Sequence, residues 1–308
     1  MTSLALIICI VLFLLWKLDF AASILNLKAL QPELPAEFKG VFDQEKYEKS
    51  QRYTAENERF GIIESITSLT ILLVFWFIGG FQLLDQGIKA YELNTILTGS
   101  IFIGLILLGQ FILSLPISIY KTFVIEERFG FNKTKPLTFF IDQIKGLVLG
   151  ALIGLPIIAL ILWIFNTVPY AWVWAWVSFT FLQLGLSYIA PSILLPLFNK
   201  FEPMPDGELK SAIEAMAEKC DFPLTELYVM DGSKRSTKSN AFFTGFGKRK
   251  KIALFDTLIE NHTTEELVGV LAHEIGHFKC KHIIKRMLTG IVQTAAIFFL
   301  LGVVTNPN

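Results

Sequence analysis

The amino-acid sequence predicts a mainly α-helical fold, a polytopic membrane bundle of about six spans with a small α/β unit near its C-terminal end. Hydrophobic residues make up 53% of the 308 positions and include 28 phenylalanines, which is more apolar than soluble globular proteins usually are. Six largely uncharged segments approach the ~20 residues that a helix needs to cross a bilayer. A long polar stretch with turn signals lies between the fifth and sixth segments and predicts the α/β unit.

The first five predicted spans form a membrane domain over 1–198, and the sixth follows the polar stretch. The first span contains Lys17 and Asp19, and its alternative is a cleaved signal peptide. No Lys or Arg precedes it and no clear small-residue cleavage site follows, so we predict a membrane anchor. The predicted spans cover 4–25, 66–84, 96–119, 147–165, 170–198 and 287–304.

Basic residues are distributed unequally between the loops that these spans create. The loops 17–65 and 121–145 hold 12 Lys and Arg residues, whereas the loops 85–95 and 166–169 hold one between them. By the positive-inside rule the two basic loops face the cytoplasm, together with the polar stretch 199–286. Both termini of this chain are then expected on the opposite side of the membrane.

The polar stretch 199–282 has the pattern of a small α/β unit. A turn signal, Pro205–Gly207, precedes an amphipathic helix predicted over 208–219. The basic cluster Lys248–Lys251 follows Gly245–Gly247, and it either contacts anionic lipid headgroups or forms a solvated turn. Strands are predicted over 227–230, 239–244 and 252–255.

Charge and cysteine content argue against some other functions. The chain has 27 acidic and 27 basic residues, and this balance argues against a general nucleic-acid partner. Its cysteines, Cys9, Cys220 and Cys280, are widely scattered and predict neither a disulfide framework nor a CxxC metal site. We therefore expect the cysteines to be packing residues.

The motif His273-Glu274-Ile275-Gly276-His277 carries the clearest chemistry in the sequence. Thr263 and Glu266 have the spacing of a capping box, so a helix is predicted over 264–281. At 3.6 residues per turn the two histidines lie on one face, where both imidazoles can reach one tetrahedral zinc ion. Glu274 lies beside that face and can act as a general base toward water. The alternative is an ordinary amphipathic helix with solvated side chains, but the predicted cap and the following membrane segment favour the zinc site.

Several longer motifs accompany this one in a fixed order over nearly the whole chain. They are Glu45–Tyr47 with Ser50–Tyr53, Glu126–Thr134, Asn240–Lys248, Leu254–Leu258, and His273–His277 with Lys279 and His282. At these residues the sequence resembles the CAAX prenyl protease 1 family, integral-membrane zinc metallopeptidases whose active site opens toward the cytosol.

The resemblance implies zinc as the cofactor, with His273 and His277 as ligands and Glu274 as the general base. It also implies that Asn240 and Ala241 begin an edge strand that holds the substrate. An extended peptide can pair with such an edge through backbone groups, without one required side-chain sequence, although a plain hairpin strand is the alternative. The expected partners are peptide or protein substrates, whether lipidated or not, and membrane lipids.

The third zinc ligand of that family is a Glu on a helix after one more membrane span, and no Asp or Glu follows Glu274 here. In an unbroken helix, His282 lies about half a revolution from His273. We expect His282 to support the ligands or to face the substrate, or else to be solvated or to cap a helix. His262 should lie too far along the helix axis. Two histidines alone predict weak zinc binding and slow turnover, so the sequence is either part of a longer protease, which we favour, or a non-catalytic relative.

Three functions remain compatible with these features. The leading one is a membrane-embedded zinc endopeptidase that cleaves hydrophobic, membrane-associated or CAAX-type peptides. The second is a non-catalytic membrane scaffold that binds peptides, and the effect of Glu274→Gln would separate the two. The third is a zinc protease of the stress-induced membrane quality-control family, which has fewer spans, so the long N-terminal half argues against it.

Overall fold

The computed structural model describes residues 3–244 and 250–305, most of which are helical. These residues divide into two compact units, one with 3–93 and 106–130 and the other with 94–105, 131–244 and 250–305. The elements in chain order are α1 (Ser3–Ala29), α2 (Gln44–Phe77), α3 (Gly80–Lys89), α4 (Thr95–Tyr120), α5 (Pro136–Thr167), α6 (Ala171–Ile189), β1 (Phe201–Pro203), α7 (Glu208–Lys219), β2 (Leu224–Met230), β3 (Ala241–Thr244), β4 (Lys250–Phe255), α8 (Asp256–Asn261), α9 (Thr264–Lys279) and α10 (His282–Thr305).

Within the described residues, six helices have the length and apolar composition needed to cross a membrane. They are α1, α2, α4, α5, α6 and α10, and α4 and α6 continue into π-helical turns at Lys121–Glu126 and Ala190–Leu194. Many of their large apolar side chains are exposed, including Leu152 in α5 (67%) and Phe181 in α6 (72%). Apolar surfaces of this extent require a lipid environment, so the predicted mainly helical membrane fold is confirmed.

The second predicted span, 66–84, has a different boundary in the structure. α2 ends at Phe77, and Gly79 has a φ of 78°, a left-handed conformation that commonly ends helices. A Cβ added to Gly80 would lie 2.5 Å from the Phe75 ring, so the chain turns tightly before α3 begins. The apolar sequence runs through this turn without a polar break, and composition alone therefore extended the span too far.

In the described part of the chain, four strands form one sheet in the order β1-β2-β4-β3. β2 and β4 run parallel, while β1 and β3 pair antiparallel with their neighbours at the two edges. The helix predicted over 208–219 is α7. One hydrophobic core joins α7, α9 and the sheet and includes Ile213, Leu254, Leu267, Leu271 and Ile275, all of them buried. This core holds α9 in a fixed position against the sheet.

The segment that leads into β3 is anchored to the start of α5. Lys133 N donates to Arg235 O, and Thr237 N donates to Phe131 O, both at 3.0 Å. The Arg235 guanidinium donates to both carboxylate oxygens of Asp142 in α5, at 2.7 and 3.0 Å. Bidentate Arg–carboxylate pairs are among the stronger and more directional side-chain interactions. The approach to the edge strand is therefore fixed to a membrane helix.

Candidate metal centre

α9 carries the HExxH motif, and its first turn and buried face follow the predicted pattern. Glu266 N donates to the Thr263 hydroxyl at 3.3 Å, and Thr263 N donates to the Glu266 carboxylate at 2.9 Å, which completes the predicted capping box. Leu267, Leu271 and Ile275 recur every four residues and pack into the core. The opposite face of α9 is therefore available to polar side chains.

His273, Glu274 and His277 come together on that opposite face. One ligand atom from each lies within 4.8 Å of the other two, and among residues 3–244 and 250–305 this is the one group of three that does so. The imidazole rings of His273 and His277 have centroids 4.7 Å apart and planes at 84°. Two nitrogens bound to one tetrahedral zinc lie about 3.3 Å apart, so small side-chain rotations would let both histidines bind it. The donor set, two imidazoles with an adjacent carboxylate, fits a zinc ion.

The predicted unbroken helix over 264–281 is wrong at its C-terminal end. α9 ends at Lys279, Lys281 has a φ of 55°, and α10 begins at His282. This break brings His282 back to the metal-ligand face, where its Nδ1 lies 2.7 Å from His277 Nδ1. The prediction places it about half a revolution from His273 instead. His262 precedes α9, and its Nδ1 lies 3.0 Å from Leu258 O, outside the ligand group.

Among the described strands β3 lies at the edge of the sheet, as predicted, although Asn240 immediately precedes it instead of beginning it. Phe255 N of β4 donates to Asn240 O at 3.0 Å, and this bond shows which residues of β3 turn their backbone groups toward β4. Because hydrogen bonding alternates along an antiparallel pair, Phe242 directs its backbone groups toward β4, whereas Ala241 and Phe243 direct theirs to the open edge. The outward Ala241 N–H already donates to the Asn240 side-chain oxygen at 2.9 Å.

An aromatic cluster joins β3 to the end of α9. Phe243 of β3 and Phe278 of α9 have ring centroids 6.1 Å apart, and Phe222 meets both rings edge to face. Phe278 directly follows His277, so the edge strand contacts the residue next to a candidate ligand. The Lys250 ammonium lies 5.0 Å from the Phe278 ring centroid, and burial lowers the pKa of Lys250.

The described half of the basic cluster Lys248–Lys251 is part of a strand and not a solvated turn. Lys248 and Arg249 lie outside the described residues. Lys250 is 7% exposed, and Lys251 Nζ lies 2.7 Å from the Glu226 carboxylate. These two lysines begin β4 and contact protein groups.

Sequence reasoning missed the anchoring role of Arg235. Its partners Asp142 and Asn199 lie 93 and 36 positions away, and Arg235 donates to the Asn199 side-chain oxygen at 2.9 Å. No local spacing marks such a contact. The one available signal was an arginine among turn residues directly before the predicted edge strand.

Comparison with known proteins agrees with the motif and the fold. Residues 23–200 match the family model described as CAAX prenyl protease N-terminal, five membrane helices, and residues 203–307 match Peptidase family M48. The crystal structure of Ste24p from S. mikatae aligns with a TM-score of 0.90 and 36% identity, over 97% of this chain and 72% of that one.

Curated relatives give the same result. The chain is 37% identical over 286 residues to CAAX prenyl protease 1 of Saccharomyces cerevisiae, which covers 89% of this chain and 63% of the relative. It is 40% identical over 262 residues to the CAAX prenyl protease 1 homolog of Arabidopsis thaliana, which covers 82% and 61% respectively. The chain thus spans about three fifths of the length of these relatives. It is a multi-pass integral membrane protein, and it belongs to the CAAX prenyl protease 1 family within peptidase family M48.

Proposed function

We propose that this chain provides the zinc-binding and substrate-holding parts of a membrane-embedded metalloendopeptidase. The observation that carries the proposal is the group of His273, Glu274 and His277, whose ligand atoms lie within 4.8 Å of one another on a helix buried along its opposite face. A rigid helix that presents two imidazoles and a carboxylate is the arrangement used for metal-assisted peptide hydrolysis.

His273 and His277 would hold the zinc ion. Bound zinc supplies Lewis acidity, which makes a water molecule easier to deprotonate and polarises a carbonyl group. Glu274 is half-buried beside the two imidazoles and is placed to take a proton from the attacking water. The same carboxyl group can then give the proton to the departing amine, as proton balance in peptide hydrolysis requires.

The open edge of β3 supports a role in holding the substrate. The backbone N–H and carbonyl of Phe243 and the carbonyl of Ala241 point outward, and an extended peptide could pair with them as a further strand. Asn240 would set where that pairing begins, because its side chain already occupies the Ala241 N–H. Backbone pairing places few demands on side chains, so it accommodates hydrophobic, membrane-associated or CAAX-type peptides, the last being the class in the relatives' names.

The distribution of Lys and Arg supports a cytoplasmic position for this site. The basic loops 17–65 and 121–145 lie on the same predicted side of the membrane as 199–286. Membrane-associated substrates with cytoplasmic ends could then reach β3 directly. Cysteine labelling with a membrane-impermeant reagent at Glu265→Cys tests this placement, in sealed vesicles of known orientation and with the three native cysteines, of which Cys280 is exposed, replaced by serine. Labelling only from the cytoplasmic face is expected, and labelling only from the opposite face would contradict it.

Peptide hydrolysis by the detergent-solubilised chain in excess zinc tests the catalytic proposal. Glu274→Gln should reduce the rate by about 10²–10⁴-fold while zinc binding is retained. Glu265→Gln makes the same chemical change in the first turn of α9 and should leave the rate unchanged. Equal rates for the two variants would remove Glu274 from the mechanism. Peptide binding with zinc bound but no hydrolysis by the unmodified chain would favour the scaffold alternative.

A further inference from the structure

His282 is the first residue of α10, and it makes one specific contact with the metal-ligand group. Its Nδ1 lies 2.7 Å from Nδ1 of His277, within hydrogen-bond distance, and the two ring centroids are 5.0 Å apart. His282 does not join the group of ligand atoms formed by His273, Glu274 and His277 among the described residues. It therefore contacts a candidate ligand without being placed as a ligand itself.

The backbone between α9 and α10 is shaped to make this contact. In a continuous helix, His282 would lie about 140° around the axis from His277 and about 7.5 Å further along it. Lys281 instead has a φ of 55°, a conformation that is unfavourable by roughly 1–2 kcal/mol for a residue with a side chain. Unfavourable backbone conformations of this kind persist where the surrounding structure requires them, and they are common near functional sites.

The contact also determines which nitrogen of His277 is available to a metal. A hydrogen bond between two Nδ1 atoms needs one donor and one acceptor. If His277 Nδ1 carries the proton and donates, its Nε2 has a free lone pair that can bind zinc. If His282 donates instead, His277 keeps its proton on Nε2 and cannot bind a metal while neutral.

We infer that His282 is a positioning residue: it accepts a hydrogen bond from His277 Nδ1 and so fixes the tautomer and ring orientation in which His277 Nε2 binds zinc. This inference rests on the proposed zinc site. Of the two roles expected for His282, support of the ligands or contact with the substrate, it adopts the first, because Nδ1 of His282 lies within hydrogen-bond distance of His277. Partners of this kind hold metal-binding histidines in many zinc proteins.

Zinc affinity, measured on the 308-residue chain in detergent by competition with a chromogenic chelator, tests the inference without relying on activity. His282→Ala should weaken zinc binding about 10–100-fold, the usual effect of losing such a partner. His282→Asn should restore most of the affinity, because the asparagine side chain places an oxygen near the position of Nδ1. Lys285→Ala, an exposed change one turn further along α10, should bind zinc as the unmodified chain does.

A second pair of variants keeps the imidazole of His282 and changes the backbone conformation available at position 281, with loss of the lysine side chain common to both variants. Lys281→Gly accepts the left-handed conformation and should retain zinc affinity. Lys281→Pro cannot adopt it, also loses the Lys281 N–H that donates to Phe278 O, and should lose affinity as His282→Ala does. The two Lys281 variants test the positioning role of His282 if His282→Ala fails to elute as a monodisperse species in size-exclusion chromatography.

The outcomes separate the inference from the zinc site itself. If His282→Ala and Lys281→Pro bind zinc like the unmodified chain while His273→Ala does not, the inference is wrong and the zinc site stands. If His273→Ala leaves zinc binding unchanged, the proposed zinc site is wrong and the inference falls with it.

Discussion

The α/β unit and the membrane-spanning helices are both rich in apolar side chains, but they place them in opposite environments. In the α/β unit, Leu271 and Ile275 of α9 are 0% and 2% exposed and pack against the sheet. In α5 and α6, Leu152 and Phe181 are mostly exposed and would face lipid. Water drives the first set together, whereas lipid solvates the second set. The geometry of the candidate metal centre therefore depends on the core of the α/β unit.

Truncation of one core residue should have the largest effect on stability. Leu271→Ala removes a fully buried side chain directly beneath the metal-ligand face and should destabilise the α/β unit by about 2–5 kcal/mol. Leu152→Ala makes the same change where lipid fills the space and should change stability by less than about 0.5 kcal/mol. Thermal unfolding in detergent, followed by tryptic cleavage within α7–α9, measures both. Equal losses would contradict the contrast between the two regions.

A charged residue at an exposed position should be costly in a membrane-spanning helix and tolerated in the α/β unit, the reverse of the effect of truncating an apolar side chain. Leu152 lies near the middle of α5, so Leu152→Arg should disfavour membrane insertion by about 2.5–3.5 kcal/mol. Ala215→Arg, at an exposed position of α7 in the α/β unit, should be tolerated within about 0.5 kcal/mol.

The integrated fraction after translation into microsomes measures this difference. Similar integration of the two arginine variants would show that α5 is not surrounded by lipid.

The smallest expected difference between the two regions concerns how their helices begin. α9 starts with a reciprocal side-chain cap, whereas α5 starts at Pro136 after Lys135 without one. Thr263→Ala should therefore destabilise the α/β unit by about 1 kcal/mol, because it removes the hydroxyl that accepts from the Glu266 N–H. Thr264→Ala, one residue later, should have almost no effect. A loss shared equally by both variants would mean that the cap does not determine where α9 begins.

The features that the sequence predicted well are those encoded locally. The six membrane spans could be predicted from the length of the apolar segments and their lack of charge. The start of α9 could be predicted from the spacing of Thr263 and Glu266. The pairing of His273 with His277 needed only the helical period. These features depend on neighbours within a few positions of one another.

The features that were missed depend on backbone conformation or on distant contacts. The apolar sequence around Gly79 conceals the end of α2, and no Gly or Pro marks the break at Lys281 that returns His282 to His277. The Arg235 contact with Asp142 joins positions 93 apart. Helical period alone places His282 on the wrong face, because it assumes that the helix continues.

The most direct test of the central claim is the position of zinc itself. Crystals of the chain soaked in zinc and measured at the zinc absorption edge should show one anomalous peak about 2.0–2.1 Å from a ring nitrogen of His273 and from Nε2 of His277. Glu274→Gln should keep this peak, since Glu274 is assigned as the base and not as a ligand. A peak elsewhere, or none at these histidines, would contradict the assignment of a zinc-peptidase site to α9.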